Sequence, residues 1–587
     1  MNAKKICVEK DQQISDDGDK DPKVVINSLD YDSLAKIIML LPIPERIDME
    51  KVCTKWKEAC QIAWYDIKKY KCESSIGRCY DNRLLTQSYL EKILSRCGNY
   101  LKELSLSYVC NSSIMPFVGD HCKNLTTLEC KFNDNSLIEH FIQAFIQLDK
   151  LKCIKITVDH NYLNETINFS AISNSLPEEI NEIHLFSKPL YCQKQDISMS
   201  LQRFRNLQKF TLVGLCLDNI NLQEIALITT LVYLKIELYN DHMYIPLILF
   251  NKLVNLEYID LTLGIWCDLS VISTEVLETI FCTCKNLKHL YIPFGSYDVV
   301  KIPLKKWINR RNLQHLGIAC NIMPDLASTI VEYCKNLKHL KIQNANRLMN
   351  ETALKKLTEL ENLESLSLVY NIMLSEESII AISNNCKKLK RLEIPDSVLV
   401  PSIDGEPLSS PSVLDELSNL QYLEHLNLHK FIYLHEGINL EDSTIIAIAN
   451  NCKNLKILQI QNHRNITERG LVALKNLKNL QKLDVTSLNI TDDFIIKLKG
   501  LKKLRCSKCQ KLTNAGIIQF IKNNPDLEVI DVSGIKNITI DLIIAADHAT
   551  KNRMNGTILH LTISVPSIKL SLTKPTIKSQ WLAVKYL

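Results

Sequence analysis

Four times in 587 residues the chain spells Cys-Lys-Asn-Leu, at Cys122, Cys284, Cys334 and Cys452, and Cys386-Lys-Lys-Leu389 is a fifth copy. Each string opens the pattern Leu-x-x-Leu-x-Leu/Ile. With the first apolar residue as anchor, the pattern recurs at Leu101, Leu125, Leu151, Ile180, Leu207, Leu231, Leu256, Leu287, Leu313, Leu337, Leu363, Leu389, Leu423, Leu455, Leu480, Leu501, Leu527 and Ile558. The mean spacing is about 27 residues, inside the range of known solenoid repeats. A repeat of this kind grows by stacking, so length does not count separate domains. In Leu337-Lys-His-Leu340-Lys-Ile342, residues 340 and 342 share one face, as period two requires of a strand. Helical segments follow. Thr467 precedes one as an N-cap, with Leu471 and Leu474 on one face, and Thr491 and Thr513 stand at comparable starts.

The recurring pattern resembles the leucine-rich repeat, and its length and cysteine match the ribonuclease-inhibitor-like, cysteine-containing class. The resemblance implies an α/β solenoid: a horseshoe with a parallel concave sheet and convex helices. About 18 repeats would fill 97–563, with an insertion loop over 395–412 and a tail at 564–587. The apolar end of that tail, Trp581 to Leu587, either caps the last repeat or folds back onto the concave face. The cysteine before Lys-Asn-Leu falls at each helix end and reads as a small residue packed under the turn. Cys506-Ser-Lys-Cys509 has CxxC spacing, but both positions belong to the repeat, and no second CxxC stands at zinc spacing. No metal and no cofactor are therefore expected.

Composition narrows the function classes. Lys plus Arg number 70 and Asp plus Glu 65, a net charge of +5. No global field calls for nucleic acid or membrane as partner. The polar N-terminus carries no secretory signal, and no apolar run approaches the roughly 18 residues of a membrane helix. The 21 cysteines then point to free thiols in a reducing compartment, cytoplasmic or nuclear. The Asn-x-Ser/Thr triplets at Asn124 and Asn465 read as chance. No Gly-rich phosphate loop, HExxH or GxSxG is present, which argues against an enzyme.

Residues 1–23 are polar and mixed in charge, an expected disordered segment. Three short helices fit 26–70. Asp30 or Asp32 caps the first, whose stripe is Leu34, Ile37, Ile38 and Leu41; Pro42 stops it. Pro44 opens the second, and the third carries Trp56, Ala59, Cys60 and Ala63. This segment resembles an F-box: Leu29, Leu34, Ile37, Ile38, the Leu41-Pro42 pair, and Val52, Cys53 and Trp56 of the Val-Cys-x-x-Trp signature. Asp30 replaces the family's proline, and Ser33 is polar. A further helical linker or cap is expected over 71–96.

The resemblance implies that Leu29, Leu34, Ile37, Ile38, Leu41, Pro42, Val52 and Trp56 bind the Skp adaptor of a cullin-based (SCF) ubiquitin ligase. The chain would be its non-catalytic substrate receptor. The alternative is a leucine-rich scaffold or inhibitor with no ligase link, its helical module only a cap. A protein substrate would lie on the concave face. One column there holds His289, His315, His339 and His425, read as non-consecutive repeats, with Lys338, Lys341 and Arg391 nearby. These residues suggest an acidic or phosphorylated substrate.

Overall fold

The structure is a computed structural model. It describes residues 26–72, 86–106, 111–132, 137–158, 169–187, 196–197, 199–217, 219–238, 247–263, 274–293, 304–319, 322–343, 350–369, 373–400, 411–430, 440–551, 553, 555, 557–564, 577–579 and 581–586. The expected disordered segment 1–23 lies outside them, as does 401–410 of the insertion. The chain divides into two units, 1–66 and 67–587.

The first unit holds α1 (Tyr31–Met39), α2 (Ile43–Met49) and α3 (Thr54–Ala63). Asp30 caps α1: its carboxylate accepts from the Ser33 amide at 2.7 Å and from the Ser33 hydroxyl at 2.9 Å. Those two donors hold the Asp30 carboxyl below the usual carboxylate range. The two departures from the F-box pattern are thus one local device that starts a helix. The interior is Leu34, Ala35 and Ile38 of α1 against Ala59, Cys60 and Ala63 of α3. Arg46, 3% exposed, ties the three helices. It donates to the carbonyls of Met39, Leu41 and Ala63 and forks onto Asp66 at 2.6 and 2.9 Å. The sequence reading missed this residue.

The second unit is a leucine-rich-repeat solenoid. Its main sheet has 20 strands, paired in parallel and in chain order. All eighteen anchors hold: two residues beyond each stands the first residue of a common register, from Glu103↔Thr127 to Val529↔His560. Two strands lie outside the predicted repeats. Lys69–Lys71 pairs with Glu103–Ser105, so the sheet begins inside the segment assigned to the helical module. Leu582–Tyr586 pairs with Leu559–Ile563, so the tail continues the sheet. In the segment expected as a helical linker or cap, the described residues form the helix Gln87–Cys97. The insertion is not all loop: Val398–Val400 pairs with Met373–Ser375, and Pro411–Asn419 forms a 3-10 helix.

Within a strand such as His339–Gln343, Leu340 and Ile342 are buried while 339, 341 and 343 stay half-exposed. The repeated cysteines sit at helix ends, each at most 2% exposed. Desolvation pushes the thiols of Cys122, Cys284, Cys334, Cys386 and Cys452 up to about 12. The asparagine just before the anchor leucine spans one repeat. Asn124 donates to the Asn99 carbonyl, Asn336 to Arg311, Asn362 to Lys335, and Asn454 to Gln421, all within 2.7–3.0 Å. No helix of the described residues is long and apolar enough to cross a membrane.

Candidate functional site: the open face of the sheet

The common register aligns one column as Tyr233, Tyr258, His289, His315, His339, Ser365, Arg391 and His425. The expectation that its histidines fall in non-consecutive repeats is corrected: His289, His315 and His339 occupy adjacent strands, because each stands two residues past one of the consecutive anchors Leu287, Leu313 and Leu337. Their rings stack. Tyr233 and Tyr258 lie 4.0 Å apart between centroids, Tyr258 and His289 3.9 Å, His289 and His315 5.1 Å, and His315 and His339 4.1 Å. Parallel strands about 4.8 Å apart place like side chains at this distance. The two tyrosines, which extend the histidine run, were not read from the sequence. The signal was available, since both stand at anchor plus two.

Burial depresses the three histidines, with His289 lowered to about 4, helped by the His315 charge beside it. The stack is therefore neutral near pH 7, and its protonated form would crowd like charges. Next to it runs Lys235, Asp260, Tyr291, Gly317, Lys341, Ser367 and Glu393. Lys235 is ion-paired with Asp260 at 2.8 Å. Tyr291 lies over Gly317, where a Cβ would stand 2.0 Å from its ring. The Tyr291 hydroxyl donates to Gln343 at 2.6 Å, and Lys341 Nζ sits 4.8 Å from the ring centroid. Burial lowers the Lys341 ammonium.

Of the cations expected to meet an acidic substrate, Lys338 and Arg391 have acidic partners within the sheet. Lys338 and Lys390 share Glu364 at 3.6 and 2.7 Å, and Arg391 meets Glu393 at 3.3 Å. Lys288 with Glu257 and Lys456 with Glu424 repeat the arrangement at 2.8 and 2.7 Å. His425 stands apart from the stack, against Gln459 at 3.2 Å and Glu393 at 3.7 Å. Among these named side chains five cations face four carboxylates, so this ladder carries little net charge. The rings are its distinctive part.

On the helical module, two of the proposed adaptor contacts face inward. Leu34 and Ile38 are fully buried in the module's own interior, because α1 needs them to pack on α3. Leu29, Leu41, Pro42 and Trp56 are half-buried. Ile37 and Val52 are exposed, and so is Leu40 at 84%, which the sequence reading omitted. Cys506 and Cys509 are both buried, their thiols donating to the carbonyls of Asp531 and Val485.

No family model matches this chain. It is similar to two curated proteins, each described as "Antagonist of mitotic exit network protein 1". The one from Candida glabrata is 30% identical over 162 residues, 26% of this chain and 29% of that protein. The one from Saccharomyces cerevisiae is 28% identical over 166 residues, 27% of this chain and 28% of that protein. The similarity thus spans less than a third of either relative. Among solved structures, the crystal structure of a TLR13–ssRNA13 complex aligns at a TM-score of 0.35 and 16% identity, covering 84% of this chain and 64% of that one. A score that low leaves the fold to be read from the strand register itself.

Proposed function

We propose that the chain is a non-catalytic protein-binding receptor that holds a partner protein on the open face of its repeat sheet. The observation that carries this reading is the five-ring stack beside the Tyr291–Lys341 pair. It gives a broad, half-exposed surface, apolar in its rings and polar at their edges, the composition that protein interfaces favour. The two relatives carry the name "Antagonist of mitotic exit network protein 1", and antagonism fits a role exerted by binding.

The narrower form of the proposal makes the chain the substrate receptor of an SCF ubiquitin ligase, acting in cytoplasm or nucleus. Its support is the F-box resemblance together with three exposed apolar side chains, Ile37, Leu40 and Val52. Burying them would contribute roughly 1.5–3 kcal/mol each before the costs of association. The test is a pull-down of full-length protein with Skp adaptor beside an Ile37→Glu/Leu40→Glu variant. Both positions are exposed, so the variant should melt as the wild type does while losing the adaptor. A folded wild type that captures no adaptor sinks the ligase form and leaves the receptor reading standing. That broader reading is tested separately by proximity labelling in cells, with Tyr258→Ala/His315→Ala as the altered face; an unchanged set of labelled proteins would overturn it.

A further inference from the structure

On the same face, on the strands two and three before the ring stack, lies a group that the repeat pattern does not require. Cys153, Glu182 and His184 bring one ligand atom each to within 4.8 Å of one another. Register explains the meeting. Cys153 pairs with Glu182 and Glu182 with Lys209; His184, two residues on, pairs with Thr211. We propose that Cys153, Glu182 and His184 form a binding site for one zinc ion, with a fourth position left to water on the open side of the sheet.

The donor set is chemically coherent. Thiolate, imidazole and carboxylate are the three side-chain ligand types that zinc takes, and softer thiolate with imidazole selects against magnesium and calcium. The spacing fits. Tetrahedral zinc bonds of about 2.0–2.3 Å put ligand atoms roughly 3.5 Å apart. His184 Nε2 already stands 3.5 Å from Glu182 Oε2. The Cys153 sulfur lies within 4.8 Å of both, so the thiol is the ligand that must turn inward on binding.

Both harder ligands are also oriented from behind. His184 Nδ1 lies 2.9 Å from the hydroxyl of Thr211, which is 3% exposed. Lys209 Nζ donates to Glu182 Oε1 at 2.8 Å, leaving Oε2 for the imidazole side. Partners of this kind fix ring and carboxylate direction at metal sites. The charges close as well: zinc with one thiolate and one carboxylate is neutral. Lys155 and Lys209 supply the neighbouring positive charge, which works against a second cation. Binding displaces the thiol proton of Cys153 to solvent and involves no redox step.

The test uses the full-length chain, stripped with chelator and titrated with zinc alone, with cobalt(II) as spectroscopic probe. One equivalent should bind, raise the melting temperature, and give a thiolate-to-cobalt charge-transfer band. Cys153→Ser should abolish the band. His184→Gln, which leaves every cysteine in place, and Thr211→Val should each weaken binding by about tenfold or more. Absence of a one-to-one thiolate complex in the wild type overturns the site. So does a band that persists in Cys153→Ser, which would assign it to other cysteines, or zinc affinity unchanged in His184→Gln. If Cys153→Ser fails to fold, the His184→Gln titration decides alone.

Discussion

His289 shows how one side chain carries both the organisation of the face and its sensitivity to pH. Its ring is sandwiched between Tyr258 and His315, with Asp260, Lys235 and His339 acting on it through space. Burial is the largest influence and lowers its pKa from near 6.5 to about 4; Asp260 alone opposes. The folded protein therefore binds the proton less readily than the unfolded chain. Stability from this group is full above about pH 6.5 and is lost as pH falls through about 4. By linkage the loss is at most about 3 kcal/mol, since each tenfold change in proton affinity is worth about 1.36 kcal/mol. His289→Gln should flatten the fall in melting temperature between pH 6.5 and 4 relative to wild type. Two parallel melting curves over that window would mean that the histidine titrates as if free.

Between neighbouring repeats, the helix starts are joined by a chain of hydrogen bonds. Asp442 accepts from the Thr467 amide at 2.8 Å and its hydroxyl at 2.5 Å, and Asp492 does the same for Thr513 at 2.9 and 2.5 Å. Glu468 accepts from the Thr491 amide, and Asn514 bonds Thr539 in both directions. Gly470 and Gly516 leave room for this. A Cβ at Gly516 would stand 2.1 Å from the Asp492 carboxylate oxygen. Gly516→Ala should therefore force Asp492 away and cost about 1–3 kcal/mol, the range for overpacking. Urea unfolding measures it, and a neutral or stabilising result would show that the carboxylate swings aside freely. The repeat itself was legible in sequence because Leu anchors, Cys ends and Thr caps recur as letters. The joining acids were not, because Asp442, Glu468, Asp492 and Asn514 are four positions filled by three residue types. The turn seven residues past the anchor was hidden for the same reason. Asp396, Asn462, Ser487, Lys508 and Gly534 all take positive φ there, yet share no side chain. Likewise Leu34 and Ile38 matched a motif, but only packing could say which stripe residues the module spends on its own interior. The zinc group escaped notice because Cys153 and Glu182 lie on different strands, and sequence spacing does not announce register.

A stack of repeats is stabilised by its own intrinsic folding and by each interface with a neighbour, so an uncovered end weakens the array from that end inward. In the solenoid, residues 577–579 and 581–586 provide such cover. Leu582–Tyr586 pairs along Leu559–Ile563, and Trp581 and Leu582 are each 7% exposed. The Asp547 carboxylate accepts the amides of Lys578 and Ser579 at 2.8 and 2.6 Å, and Thr550 meets the Ser579 hydroxyl at 2.8 Å. Removing residues 577–587 would leave Asp547 and Thr550 without these partners and turn Leu559–Ile563 into an open edge strand, a template for pairing with another chain. The truncated protein should melt at lower temperature and associate at higher concentration. The loss should be graded along the array: amide exchange should quicken most in Leu559–Ile563, less in Val529–Asp531 and little at His289–Pro293, because coupling passes only between neighbours. Hydrogen exchange with mass spectrometry reads each strand separately. Uniform loss of protection across all of them would show that the solenoid unfolds as one cooperative body, and unchanged protection in Leu559–Ile563 would show that the last strand covers nothing of energetic consequence.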